Sequence, residues 1–484
     1  MKLFGAGKPD HPMADRKEAA RLLGELPSQD LKAIDELAHW YESLSAAQGF
    51  KPDERAQRFA MIQEAAQPRL LKLSRDYLAS VRSAKGSRAQ QNLIWMRVHE
   101  YWRQAAQALA AAIDAKAQPD VVLGALRALG EQLKWQQLRY GPIDLAVWGQ
   151  MNRIFALAEA RGMVEAKVHY LRAAMFSAAS PDTRPAAEIE LAGRIIAELA
   201  PAFVMASAPA AGLPYWTDLA QPMMPARISR APQPSASLRF FGPGAALGTL
   251  QNLAERLLAK RELPAELKLA ADDDPETVLG VLRHLAAYWA PAAPERKHKR
   301  HSVQSKLTIA HGFDGVLEAL GGNPDDSLNF NPRAAVAGET WTVDNVSAGG
   351  FGALALQAKS DWLKVGALVA AQPDGAANWL VGTVRRVSRI SKDEVRVGVE
   401  TLSRAPAVSQ FAVPGTQQQS SGVLLPSAPG SGDAAIALRA GVYARGENLE
   451  STAGGLQRVY LPQGVAERGE DYEIVRFKEM VREG

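Results

Sequence analysis

The chain has 484 residues, 47% of them hydrophobic, with 56 lysines and arginines against 52 acids, eight histidines and no cysteine. That length sets an expectation of about two to four domains, and the missing thiols exclude disulfides, cysteine-ligated zinc, iron–sulfur clusters and thiol nucleophiles. The net charge of +4 divides as 35 bases and 31 acids before residue 291 and 21 of each after it, which argues against a duplex-sized basic face.

The N-terminal MKLFGAGKPDHPMADRKEAA has no apolar run of signal-peptide length. The longest uncharged stretch, Leu199 to Trp216, is broken by Pro201, Pro209 and Pro214 and does not read as a membrane span. A soluble, cytoplasmic protein is expected.

From about Lys17 to Ser180 helical periodicity dominates. Ser28 reads as the N-cap of a helix carrying Leu31, Ile34, Leu37, Tyr41 and Leu44, and Ser87 as the cap of a second one with Ile94, Val98, Tyr101, Trp102 and Ile113 on its apolar face. Further stripes follow in 120–138, 143–160 and 162–178, separated by short breaks that suit antiparallel packing. Seven of the ten tryptophans precede residue 290 and are read as core anchors. Residues 201–247 contain eight prolines among apolar pairs such as Tyr215-Trp216 and Phe240-Phe241, which suggests an irregular segment packed on the helices or a docking surface. A last helix is bounded by Asp274 at its N-cap, Pro275 at its first position and Pro291 beyond Trp289, and capping accounts for the run Asp272-Asp273-Asp274.

From Val303 onward alternation of period two takes over. The strands expected are around Val303 and Lys306–Ile309, then Thr340–Val343, Phe351–Leu356, Val365–Ala370, Trp379–Arg389 and Val395–Leu402, enough for a small antiparallel barrel. A Pro/Gly/Ser/Gln-rich stretch follows, then strands at Ile436–Val442, Leu456–Leu461 and Tyr472–Phe477. The expected fold is α+β and multidomain. It comprises a helical bundle or helical-hairpin array at 1–200, an irregular segment at 201–247, a helical connector at 248–290, the barrel at 291–404, a linker at 405–433 and a β-rich unit at 434–484.

Two motifs bracket the start of the barrel. Arg296-x-x-x-Arg300 lies on the connection entering it, within the basic run Arg296-Lys297-His298-Lys299-Arg300 followed by His301; Asn345-x-Ser347-x-x-Gly350 lies between two early strands. Guanidinium groups fork onto phosphate oxygens or guanine O6/N7 and stack on bases. Asn345 and Ser347 offer short polar side chains to a base edge, while Gly349 and Gly350 allow a close backbone approach. His298 and His301 lack a second ligand cluster at metal spacing and are read as linker histidines.

This pairing of RxxxR with [D/N]xSxxG at the head of a small barrel resembles the PilZ-domain family, receptors for cyclic di-GMP, over about 294–403. The resemblance implies that Arg296 and Arg300 grip phosphates and guanine faces, that Asn345 and Ser347 bond a guanine, and that Gly350 holds the turn. Lys297, Lys299, His301 and Gly349 would be neighbouring contacts. The 44 positions from Arg300 to Asn345, with a Gly/Asn/Pro/Asp-rich insertion at about 321–338, exceed the family's compact form. Convergence of the motifs therefore becomes a structural question.

No phosphate-binding loop, HExxH or GxSxG element is present, so no catalysis, cofactor or metal is expected. The function expected is reception of cyclic di-GMP, relayed to an unidentified protein partner through the helical region or the proline-rich segment. The alternative is a helical scaffold whose barrel is a degenerate interaction module. Nucleic acid and membrane are not expected partners.

Overall fold

The computed structural model describes residues 9–82, 86–114, 116–230, 232–269, 273–295, 298–321, 338–356, 362–391, 393–412, 419–426, 433–443, 446–453 and 456–482. It is α+β and multidomain, dividing near Pro294 into a helical unit and a β unit.

The helical unit begins with α1 (Arg16–Gly24), α2 (Asp30–Ala46), α3 (Pro52–Arg82), α4 (Arg88–Ala111), α5 (Pro119–Gln137), α6 (Leu145–Ala160), α7 (Val164–Ala178) and α8 (Ala186–Leu199). Short polar side chains start several of them: Asp15 accepts from the backbone N–H of Lys17 and Glu18, Ser87 from that of Gln90 and Asp144 from that of Ala146. Helix α2 starts one position later than the Ser28 cap implies, with Gln29 at the cap and no side-chain bond to it. Tyr41, Phe59 and Tyr101 meet where α2, α3 and α4 pack. Trp102, Trp135, Trp148 and Trp289 are buried, whereas Trp40, Trp95 and Trp216 are half-buried.

The proline-rich segment is not irregular. It forms β1 (Val204–Ala206), β2 (Tyr215–Asp218), β3 (Ala226–Arg227) and β4 (Leu238–Gly242), an antiparallel sheet in the order β1-β4-β2-β3. These strands are two to five residues long, so they fit between the prolines and leave too few positions for alternation to show. Asn152, wholly buried on α6, accepts from the Tyr170 hydroxyl at 2.7 Å and donates to the carbonyls of Gln221 at 2.9 Å and Met223 at 3.2 Å. One amide therefore pins the segment to two helices.

Helices α9 (Ala246–Lys260) and α10 (Pro275–Trp289) complete the unit. Asp274 caps α10 as expected, accepting from the Thr277 N–H at 2.9 Å. Asp273 does something else: buried, it receives both Arg194 Nη atoms at 2.9 and 3.0 Å and Arg82 Nη2 at 3.3 Å. Trp289 is wholly buried and donates to the Met175 carbonyl at 3.2 Å. Arg227 bonds the carbonyls of Tyr288, Ala290 and Pro291, satisfying the acceptors that end α10.

The β unit contains two six-stranded closed antiparallel barrels. The first is made of β5 (His301–His311), β6 (Glu339–Ser347), β7 (Gly350–Leu356), β8 (Leu368–Pro373), β9 (Leu380–Arg389) and β10 (Glu394–Ser403), with α11 (Gly312–Ala319) after β5. The second is made of β11 (Ala407–Ala412), β12 (Gln419–Pro426), β13 (Asp433–Arg439), β14 (Leu449–Ala453), β15 (Leu456–Arg468) and β16 (Tyr472–Arg482). Around both barrels the strands run first, second, third, sixth, fifth, fourth and back to the first, so the second repeats the connectivity of the first.

Residues 405–433 thus supply the first two strands of a barrel, where the composition suggested a linker. Ser409, Gln410, Ser420 and Ser421 lend the segment its polar character, while Phe411, Val423 and Leu425 are buried. The barrels share a core in which Phe313 and Leu317 of α11 and Val381 meet Val423, Tyr472 and Ile474. Polar bonds reinforce it: the Tyr472 hydroxyl donates to the Gly366 carbonyl at 2.9 Å, Asp471 accepts from the Phe313 N–H at 2.7 Å, and Arg385 pairs with both Glu400 and Glu467. No helix among the described residues is long and apolar enough to cross a membrane.

Candidate functional site

The described end of the first motif runs into a strand that pairs with the second. Strand β5 pairs with β6 so that His301 lies opposite Val346 and Ser302 opposite Asn345. The basic connection therefore enters the barrel beside the Asn345–Gly350 turn. His298 lies against that turn: a Cβ placed on Gly349 would meet its ring at 2.8 Å. The insertion at 321–338 does not separate the motifs, because β5 and β6 pair in register on either side of it; residues 322–337 lie outside the described residues.

Lys299, Arg300 and His301 are exposed, and Arg300 makes no hydrogen bond or ion pair with any described residue. Arg296 and Lys297 lie outside the described residues. Like charges packed along a short connection repel one another, so Arg300 is free to take an anion.

In the turn, the Ser347 hydroxyl donates to the Gly350 carbonyl at 3.2 Å, closing the hairpin. Gly350 has φ of 157°, and a Cβ there would lie 2.0 Å from the Val399 carbonyl oxygen. Only glycine lets β7 approach β10 this closely. The turn is braced again by the Thr401 N–H donating to the Gly349 carbonyl at 3.0 Å and by Arg404 Nη2 donating to the Ala348 carbonyl at 3.1 Å.

Asn345 is the most informative residue. A register shift between Val343 and Asn345 turns its side chain to the outer face of the barrel, opposite Gly352. Its Nδ2 donates to Asp344 Oδ1, which fixes the amide orientation, and its Oδ1 is buried without a hydrogen-bond partner. A buried acceptor left unpaired costs about 1–3 kcal/mol.

Four residues that the motifs do not contain complete the wall. Asn345 pairs with Gly352, Gly352 with Gly398, and Gly398 with Arg386, so two positions without side chains stand side by side next to the amide. A Cβ on Gly352 would come within 2.5 Å of Asn345 Nδ2 and 2.8 Å of Asp344 Oδ1. Exposed Arg396 flanks the same stretch, 3.6 Å from Asp344. The signal in the sequence is Gly350-Phe351-Gly352 beside Val397-Gly398-Val399, where glycines take neighbouring outward positions of two paired strands. The arrangement is a platform of strand backbone, buried under the Asn345 side chain at Gly352 and half-buried at Gly398, bordered by an unpaired buried acceptor and by the exposed Arg396 guanidinium.

Among the described residues no cluster of His, Asp and Glu could hold a metal ion. His99 stacks on Trp95 at 4.9 Å, and burial holds its imidazole below the ordinary value. Gly242 and Gly244 serve close packing, Gly244 against the Ala202 carbonyl. No curated protein matches the chain. Residues 17–209, within the helical unit, match the family model of the N-terminal domain of the cyclic-di-GMP receptor FimW.

Proposed function

We propose that the protein is a receptor for cyclic di-GMP that binds the nucleotide on the outer wall of its first barrel, a PilZ-type site, and passes the signal on through its helical unit. What supports this reading is that β5, which follows Arg300, pairs with β6 at Ser302 and Asn345, and that Asn345 Oδ1 is unpaired beside Gly352 and Gly398. The family match on the helical unit supports it independently of the barrel residues.

In this reading the Asn345 side chain swings off Gly352, a guanine takes its place on the platform and gives an N–H to Asn345 Oδ1. Arg296 and Arg300 close over the phosphates, with Lys297, Lys299 and His301 adding positive potential and Arg396 flanking the ring. The protein works in the cytoplasm and carries out no catalysis. Tethering of Trp289 to Met175 and of the α10 end to Arg227 makes rotation of α10 itself an unsuitable relay. The responsive segment is the connection from Pro291 to Arg300, which ligand neutralises and fixes.

Calorimetry with cyclic di-GMP tests the reading. Asn345→Ala and Gly352→Val are each expected to weaken binding by about tenfold or more, the first by removing the acceptor and the second by displacing it. Their melting temperatures should stay close to wild type, because the neighbours a Gly352 side chain meets are flexible side-chain ends. Unchanged affinity in both would refute the platform.

A further inference from the structure

Strand β6 carries a bulge at the site. Val343 pairs with Ala353 and Asn345 with Gly352, so Asp344 between them has no partner on β7. Alternation along the strand buries Trp341 and Val343 and sends Asp344 to the outer face. The bulge then sends Asn345 outward as well, and two consecutive polar side chains stand on one face of the barrel.

Both reach the same spot. A Cβ on Gly352 would lie 2.8 Å from Asp344 Oδ1 and 2.5 Å from Asn345 Nδ2, so carboxylate and amide lie together over that glycine. Asn345 Nδ2 donates to Asp344 Oδ1, while the second carboxylate oxygen, Oδ2, is 3.6 Å from Arg396 Nε. Oδ1 is therefore the oxygen turned to the platform, and the amide of the neighbouring residue covers it.

A carboxylate on a wall that receives a phosphate-bearing ligand repels it, unless it bonds a donor on the base. Carboxylates only accept hydrogen bonds, and bonds to them are the stronger ones. Guanine presents two adjacent donors on one edge, N1–H and the N2 amino group. Adenine has a donor beside an acceptor there, and hypoxanthine keeps N1–H but lacks the amino group. When Asn345 swings off Gly352, its Nδ2 leaves Asp344 Oδ1. One movement thus uncovers two neighbouring acceptors, Asp344 Oδ1 and Asn345 Oδ1.

We infer that Asp344 is a specificity-determining residue of the wall: its Oδ1 accepts from the N2 amino group of guanine while Asn345 Oδ1 accepts from N1–H. The inference rests on the nucleotide reading of the site and adds to it the group that tells guanine from other purines.

Calorimetry on the intact protein with three probes tests it: cyclic di-GMP, its hypoxanthine counterpart cyclic di-IMP, and cyclic di-AMP. Wild type should bind cyclic di-GMP about tenfold or more tightly than cyclic di-IMP, and cyclic di-AMP more weakly still. Asp344→Ala should weaken cyclic di-GMP by about tenfold or more and leave cyclic di-IMP within about twofold. The isosteric Asp344→Asn keeps a neutral acceptor and should weaken cyclic di-GMP by a smaller factor. Charge alone predicts the reverse, since removing an acid favours an anion. A role confined to holding Asn345 would weaken both ligands alike, because both carry N1–H. The inference is overturned if Asp344→Ala binds cyclic di-GMP as tightly as wild type, or if Asp344→Asn binds it more tightly. It is also overturned if Asp344→Ala weakens both ligands equally, or if wild type does not distinguish them. Each of those results leaves the nucleotide site standing, whereas wild type that binds none of the three probes removes the site and the inference together.

Discussion

Asp273→Ala is expected to lower the unfolding free energy of the helical unit by about 3 kcal/mol, read as a fall in the midpoint of its urea transition. The carboxylate is only 2% exposed and gathers Arg194 from α8 and Arg82 from α3, immediately before the cap of α10. It therefore joins three helices that are far apart in sequence. Removing it strands two guanidinium groups facing a buried position. Both arginines are about one-third exposed, at 32% and 39%, and can turn toward water, which keeps the expected loss at the low end for a broken buried pair. Asp274→Ala, by contrast, removes a helix cap and should cost about 1 kcal/mol. Equal effects from the two neighbours would show that Asp273 is a capping residue after all.

Gly350→Ala should destabilise the β unit by several kcal/mol and abolish binding at the wall. The added Cβ would lie 2.0 Å from a backbone oxygen of β10, and no side-chain rotation relieves a clash with backbone. Strand β7 would have to leave β10, breaking the pairing of Gly350 with Glu400 and of Gly352 with Gly398. Thermal unfolding followed by near-ultraviolet circular dichroism reads the loss, since Trp341 is buried in this barrel. The contrast with Gly352→Val separates the two roles of glycine in this strand. Gly350 holds the fold, and Gly352 leaves room for Asn345. Normal stability in Gly350→Ala would mean that the turn does not have the geometry described.

The helices were legible in the sequence because their apolar stripes are long and their caps are conventional residues at conventional positions, as at Ser87 and Asp274. The first barrel was legible for a similar reason: Val395, Val397 and Val399 alternate cleanly, and all three are buried. The sheet at 204–242 was hidden because strands of two to five residues carry too few alternations to outweigh eight prolines. The first strands of the second barrel were hidden because their outward serines and glutamines imitate a linker. At the site, local motifs pointed to Asn345, Ser347 and Gly350, but the partners of those residues come from across the barrel. Gly398 and Arg396 reach the site only through the pairing of β7 with β10, a long-range register that local spacing does not encode. Asp273 shows the same limit: its neighbour Asp274 caps a helix, and only the tertiary fold reveals that Asp273 does not.

Hydrogen exchange of the intact protein, with and without cyclic di-GMP, tests the central claim most directly. The account predicts that saturating nucleotide slows exchange at the amides of 298–303 and 345–352, with the connection before β5 changing from rapid to protected. Exchange at the corresponding entry to the second barrel, 404–408, should not slow to a comparable degree. No protection at either predicted segment, at a nucleotide concentration of about 100 micromolar, would contradict the account.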